Sequence, residues 1–435
     1  MIPMFRFSRR AFLERTIRAA GATWLATPAS VWAQPPPTGE TAATGATHPD
    51  LAAFDELMLR FVQEQQVPGA QLAISNTGRL VYARGFGVAD RQQQQPVQPT
   101  ALFRIASISK PVTAVAVLQM VERSKLSLDA RVWDVLGLAE PVDARWKKIT
   151  ILHLLQHTAG WDRDKSFDPM FRSAAIAKAL KVSPPPGPQH IIRYMLGQPL
   201  DFDPGSRHSY SNFTYCLLGR VIERVSGMPY ESYIQREVLA PLGIRRMRLG
   251  KTPAALRAAG EVVYYADRDH TGAPASGTNR DGVPLPYGAW SLEAMDAHGG
   301  WLASAPDLVR FAAAFDVPAA CKILRPASIA IMFARPEGEA GYEAGGKPRA
   351  VYYGCGWRVR TVGRERPFNT WHTGHLDGTS GLLVRRFDGK NWAVLFNSRT
   401  APDGQRLSAK IDPLLHQAAG QVRSWPDADQ FASLL

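Results

Sequence analysis

The sequence predicts an α+β fold: one antiparallel sheet flanked by terminal helices, with an all-helical lobe beside it. Three observations predict it. Strand patterns cluster near both ends of the chain, at residues 70–75 and 80–88 and again past about 290. A long, loop-rich, mostly helical stretch, about 111–285, separates them. Helical apolar spacing opens and closes the mature region.

The opening helix is predicted over 50–66, where Leu51, Phe54, Leu57, Met58, Phe61 and Val62 repeat at helical spacing until Pro68-Gly69. Strands 70–75 and 80–88 follow, joined by the turn residues Asn76-Thr77-Gly78. Gln92 to Gln95, then Pro96 and Pro99, predict a surface loop. The next helix opens at Ser107-Ile108-Ser109-Lys110 and continues through Val112, Val115, Val117, Leu118, Met120 and Val121. Pro111 suits its first turn, where a missing N–H costs no hydrogen bond. Breaks at Pro184-Pro185-Pro186-Gly187, Pro204-Gly205 and Pro241-Leu242-Gly243 punctuate the helical stretch. Residues 382–387 and 392–396 flank Asp388-Gly389, a strong hairpin signal. A last helix is predicted over about 406–422.

Composition narrows the function. The 435 residues are 45% hydrophobic and 20% charged, ordinary for a globular protein with a large core. The net charge of +13 includes +4 from residues 1–33, and the remaining excess is spread thinly. With no clustered basic face, a nucleic-acid partner is not expected. Three widely spaced cysteines, Cys216, Cys321 and Cys355, indicate neither a disulfide framework nor a zinc site. Buried free thiols are expected, with a Cys321–Cys355 bridge as the alternative.

Residues 1–33 read as an export signal. Ser8-Arg9-Arg10-Ala11-Phe12-Leu13 is a twin-arginine pattern, Ala19 to Ala29 is weakly apolar, and Val31-Trp32-Ala33 is a small-residue cleavage site. The twin-arginine export machinery is therefore an expected partner, and a periplasmic or secreted location follows. Residues 34–49, opening Gln34-Pro35-Pro36-Pro37, read as a flexible tether, and 50–435 as the folded domain. No later stretch is long and apolar enough for an integral membrane segment.

The chemistry centres on Ser107 and Lys110. A serine hydroxyl needs a base to become a nucleophile, and a lysine three residues on lies on the same helix face. Helix N–H groups also point at whatever the serine attacks. Ser109 points roughly 200° around the helix and is a bystander. His153 and His157 stand four apart, but no His-Glu-x-x-His pattern or third ligand accompanies them, so structural roles are expected and no metal is assigned. Asp162 and Asp164 are candidates for the pocket mouth. No Gly-x-Ser-x-Gly elbow occurs, which removes the main support for a Ser-His-Asp hydrolase.

Further motifs accompany Ser107 and Lys110. Phe202-Asp203-Pro204-Gly205 leads into Tyr210-Ser211-Asn212, and Trp371-His372-Thr373-Gly374-His375 follows later. Leu154-Leu155-Gln156-His157-Thr158-Ala159-Gly160, Ser226-Gly227-Met228-Pro229-Tyr230 and Gly299-Gly300-Trp301-Leu302, with Ser304 and Asp307-Leu308, complete the set. In this order and spacing, over about 50–410, the chain resembles the β-lactamase-related serine hydrolases. The resemblance is to the class C branch and its penicillin-binding carboxypeptidase and esterase relatives.

That resemblance implies a β-lactamase/transpeptidase-like fold and an acyl-enzyme on Ser107. It makes Lys110 and Tyr210 the pair that shares the base, and Asn212 a group that orients Lys110 or substrate. The oxyanion hole would be the backbone N–H groups of Ser107 and His375, with Gly374 letting substrate approach an edge strand. His372, Thr373 and Gly374 would line the substrate site. In a dry seam the ammonium is expected to favour phenolate on Tyr210, and burial to disfavour the charged lysine. His372 stands where many β-lactamases carry lysine, and a neutral histidine weakens the hold on a substrate carboxylate. The expected substrate is a small ester or D-peptide, ahead of a lactam, with no cofactor. A β-lactamase or a non-catalytic penicillin-binding-like sensor is the alternative.

Overall fold

The computed structural model describes residues 42–266, 271–277, 282–362 and 367–434. All lie in one compact unit, residues 36–435. The predicted signal and its cleavage point, and the tether as far as residue 41, lie outside the described residues.

The main sheet has nine strands: β1 (Ala43–Thr44), β2 (Gly69–Asn76), β3 (Arg79–Asp90), β4 (Gln95–Pro96), β5 (Val351–Tyr353), β6 (Arg358–Thr361), β7 (Phe368–Leu376), β8 (Thr379–Arg385) and β9 (Lys390–Phe396). Their order is β1-β3-β2-β9-β8-β7-β6-β5, with β4 on β3, and every pairing is antiparallel. Strands from the two chain ends meet at β2–β9, where Ile74 faces Trp392 and Leu72 faces Val394.

Both faces of the sheet are covered. Leu382, Val384, Trp392, Val394 and Phe396 pack beneath α1 (Ala52–Glu64) and a C-terminal helix, Leu407–Gln421. The intervening Leu383, Ala393 and Leu395 enter the main core on the opposite face. Alternate residues therefore bury on opposite sides, and the strands read as continuous apolar runs.

The hairpin signals hold in detail. Thr77 (φ +47°) and Gly78 (φ +82°) turn β2 into β3, and Gly389 (φ +72°) sits between β8 and β9. One expectation is corrected. Residues 43 and 44 are sheet and not tether: Ala43 and Thr44 pair with Phe86 and Gly85, because the last strand of this half otherwise leaves an open edge. Strands return past about 290 as expected, first at Trp301–Ala303 in a separate small sheet, and the main sheet resumes at Val351. A helix, Ala305–Ala313, comes first and packs on the sheet face against β2 and β9. Its Ser304 and Asp307 form a reciprocal N-terminal cap, which accounts for that motif. All three cysteines are free, as favoured, and the Cys321–Cys355 bridge is absent. Among the described residues, no helix is long and apolar enough to cross a membrane.

The helix predicted from Ser107 begins as a tight turn, Ala106–Ile108, that runs into α2 (Ser109–Glu122). Every residue of α2 from Ser109 to Met120 is buried, so it is a core helix without a wet face. Within 101–120 only Ser107 keeps partial exposure. The turn packs between β7 and the helical turn Asp296–Gly299.

Candidate active site

Local structure presents Ser107 at the floor of a cleft of about 420 Å³. Ala106 is held at φ +46°, a conformation that costs an L-residue energy unless its surroundings enforce it. Ile105 N–H donates to the Trp301 carbonyl, and Ser109 Oγ donates to the Ala106 carbonyl at 2.7 Å. Ser109 is thus structural, as expected.

Lys110 is fully buried, and its Nζ has three partners: Ser107 Oγ at 3.0 Å, Asn212 Oδ1 at 2.8 Å and the His298 carbonyl at 2.9 Å. Burial drives its pKa well below the ordinary lysine value. Asp168 opposes that shift, and Arg163 reinforces it. A neutral amine has two N–H bonds and one lone pair. As an ammonium Lys110 donates to all three oxygens; in the neutral form the two carbonyl-type oxygens can hold both hydrogens, with the lone pair facing the Ser107 O–H.

Asn212 opens the helix Asn212–Ser226. Its Nδ2 donates to Asp168 Oδ2 at 2.6 Å, and this fixes the amide so that Oδ1 faces Lys110. Asp168 accepts a further N–H from Met170 at 3.1 Å, and burial pushes its carboxyl above the usual range.

Tyr210 is placed by the turn at 157–160. Ser209 N–H donates to the His157 carbonyl and Gly205 N–H to the Thr158 carbonyl, while the Tyr210 ring packs 4.3 Å from the His157 ring. The same ring lies 4.8 Å from Lys110 Nζ and 5.0 Å from the Arg163 guanidinium. Its phenol oxygen is buried and makes no well-formed hydrogen bond. The Ser107 hydroxyl is close enough to favour the ionised phenol, yet burial dominates and raises the pKa well above the ordinary value. The expected drift toward phenolate is therefore corrected: desolvation outweighs the cations. Burial thus lowers the lysine pKa and raises that of the tyrosine.

The strand bearing His372, Thr373, Gly374 and His375 closes the other side of the cleft. It is not a simple edge strand. β6 pairs with β7 from Phe368 to Trp371, and only the stretch beyond is left open on that side. A Cβ on Gly374 would lie 2.1 Å from the Ile105 carbonyl oxygen, so only glycine allows the strand to approach the Ser107 turn this closely. Thr379 Oγ1 donates to the Arg104 carbonyl at 3.0 Å and ties β8 to the same segment. The His375 ring turns away to Ser408 (Nε2, 2.6 Å) and Arg406 (Nδ1, 3.5 Å), and is held neutral, down to about 3, by burial and Arg406.

His372 is 3% exposed. Its Nδ1 lies 2.7 Å from the Thr373 carbonyl, which can only accept, and its Nε2 lies 3.0 Å from the Tyr353 hydroxyl. These bonds specify the neutral Nδ1–H ring, and burial depresses the pKa well below 6.5. His372 brings no positive charge to the cleft.

His153 caps its own helix with Thr150, and His157 bonds Thr214 at 2.9 Å, so both are structural. Among the described residues no cluster of His, Cys, Asp or Glu is placed to hold a metal. Asp164 lines the cleft, but Asp162 is paired with Arg207 at 2.8 Å and does not. Asp168, Arg163, Arg358, Tyr353 and the His298 carbonyl went unassigned in the sequence. The Asp168-Pro169 pair, a helix-start signal, could have drawn notice to the first. A backbone carbonyl leaves no signal.

A family model for Beta-lactamase matches residues 54–415. The chain belongs to the Beta-lactamase family. Esterase EstB of Burkholderia gladioli is 32% identical over 244 residues, 54% of this chain and 59% of that protein. The chain spans between about two fifths and three fifths of the curated relatives it matches. An octameric penicillin-binding protein homologue from Pyrococcus abyssi superposes with a TM-score of 0.63 at 26% identity, over 84% of this chain and 78% of that one. The D-amino acid amidase from Ochrobactrum anthropi SV3 shares the fold, with a TM-score of 0.65 at 21% identity, over 86% and 99%. The family model thus groups this chain with an esterase, and the amidase shares its fold.

Proposed function

We propose that the protein is an exported serine hydrolase that cleaves an ester or a D-peptide-like amide through an acyl-enzyme on Ser107. The placement of Lys110 Nζ carries this reading: it lies 3.0 Å from Ser107 Oγ and is held there by Asn212 Oδ1 and the His298 carbonyl, so that in its neutral form it can take the hydroxyl proton.

Lys110 takes the Ser107 proton as Oγ adds to the substrate carbonyl. The backbone N–H groups of Ser107 and His375 receive the developing oxyanion. Collapse expels the alcohol or amine, which takes a proton from Tyr210, and the Lys110 ammonium returns a proton to the phenol. Water then attacks the acyl group by the same route and frees Ser107. Asn212 orients Lys110, while Thr373 and Gly374 line the path of the substrate. The neutral ring of His372 supplies no cation from its own strand, where many β-lactamases carry lysine, and this favours esters over β-lactams.

The test is a panel of p-nitrophenyl butyrate, a D-alanyl-D-alanine peptide and nitrocefin. Ester or peptide turnover is expected to exceed nitrocefin turnover. Ser107→Ala should abolish it, and Lys110→Met should lower kcat about 10³-fold. Full turnover by Ser107→Ala would sink the proposal. Export is tested separately: replacing Arg9 and Arg10 with lysine should trap the protein in the cytoplasm.

A further inference from the structure

A second cavity, of about 350 Å³, adjoins the catalytic cleft. Its walls include Tyr353 and Arg358 from β5 and β6, Arg207 and His208 from the segment before Tyr210, and Glu339 and Arg349. Arg358 lines both cavities. Tyr353 joins them again, because its hydroxyl meets His372 in the cleft wall.

Three guanidiniums converge here, and two of them have no acidic partner among the described residues. Arg207 is paired with Asp162 at 2.8 Å. Arg349 spends its Nε on the backbone carbonyl of Glu339 at 2.9 Å, a neutral acceptor. Among the described residues, no carboxylate lies within ion-pair distance of Arg349 or Arg358. The Glu339 side chain is the one acidic group on the wall. His208 stays neutral there, down to about 4, through burial and then the fields of Arg358, Arg349 and Arg207. Its buried Nε2 has no hydrogen-bond partner. Arg349 and Arg358 are exposed at the rim of a concave site, where like charges add to a positive potential, and a guanidinium fork matches the two oxygens of a carboxylate.

We propose that this cavity receives a carboxylate carried by the substrate, so that the preferred ester or amide bears a negative charge several bonds from the scissile carbonyl. The proposal rests on Ser107 as the nucleophile. It gives Arg358 the charge that the neutral His372 does not supply, and places that charge on the neighbouring strand.

The test compares mono-p-nitrophenyl glutarate with p-nitrophenyl butyrate, and 4-acetoxybenzoate with phenyl acetate, using the full chain. One charged ester of the two pairs should be preferred at least tenfold in kcat/KM, and the pair identifies whether the acyl or the leaving side carries the charge. Arg349→Gln and Arg358→Gln should each cut that preference at least fivefold, and added salt should weaken it. No preference in either pair, or a preference that survives both substitutions, overturns the proposal. A readout without turnover is calorimetric titration of Ser107→Ala protein with glutarate and, separately, inorganic phosphate. Glutarate should bind, and Arg349→Gln in the same background should lose it. Absent or unaltered glutarate binding, or tighter binding of phosphate, overturns the carboxylate assignment. If no ester is hydrolysed at all, the Ser107 reading fails, and the titration alone decides the cavity.

Discussion

Asn212 is held by Asp168: its Nδ2 donates to Asp168 Oδ2 at 2.6 Å while its Oδ1 accepts from Lys110 at 2.8 Å. The carboxylate thus acts on Lys110 twice, through the amide that orients it and through its own charge. That charge raises the Lys110 pKa against the larger effect of burial. Asp168→Asn removes it, so the lysine loses its proton at lower pH. The acid limb of kcat/KM is expected to move to lower pH. The value of kcat should fall about tenfold, because an amide no longer dictates which way Asn212 faces. A pH–rate profile that does not shift refutes the electrostatic role.

Tyr210 invites a different test. Its phenol oxygen is buried without a formed hydrogen bond, so removing it deprives the fold of nothing. Tyr210→Phe is expected to keep or slightly raise the unfolding temperature while kcat falls at least about 100-fold, within the range for loss of a positioned acid or base. A purely structural tyrosine would show the reverse: lower stability with intact turnover. Thermal unfolding beside ester kinetics distinguishes the two.

The clustering of Ser107, Lys110 and Tyr210 is legible because each sits in a short motif whose spacing is set by local backbone geometry. Ser107 and Lys110 share a helix start, and Tyr210 precedes the helix that Asn212 opens. What surrounds them was not legible. Asp168 and the His298 carbonyl reach Lys110 through tertiary packing, 44 residues before Asn212 and 188 after Lys110. The pairing of Ala43 with Phe86 was hidden by a composition typical of tethers, since two residues suffice to cover an edge. The Tyr210 shift runs opposite to the direction expected from its charged neighbours, for a physical reason. Sequence shows which charges come near, but not how completely the site is dried, and here desolvation is the larger effect.

Gly374 measures how tightly the two walls of the cleft meet. A methyl group there would stand 2.1 Å from the Ile105 carbonyl oxygen, a backbone atom that cannot swing aside. Gly374→Ala must push β7 away from the Ser107 turn and separate the two proposed oxyanion donors. Loss of one donor costs about 3 kcal/mol in the transition state, so kcat/KM is expected to fall about 100-fold. Unfolding should become easier by about 1–3 kcal/mol through overpacking. Unchanged ester kinetics in a folded Gly374→Ala protein would show that His375 N–H does not serve the oxyanion.

Buried histidines also set the acid limit of stability. Desolvation lowers His157, His298 and His372 well below 6.5, and holds His208 near 4 and His375 near 3. Below about pH 6.5 the unfolded chain binds protons at these rings that the folded chain refuses, so unfolding becomes easier as pH falls. Buried carboxylates act in the opposite direction: Asp316, raised to about 6 by burial, is protonated first in the folded state and adds stability as pH falls toward 4. A difference measurement isolates one ring. For His208 the folded pKa is the depressed one, so its contribution is complete above pH 6.5 and is lost down to about pH 4. Denaturant unfolding of wild type and His208→Gln should show the difference between them shrinking by at most about 1.4 kcal/mol per pH unit across that window, and constant above it. A difference independent of pH from 7 to 4 would mean that His208 titrates in the folded protein as it does in the unfolded chain.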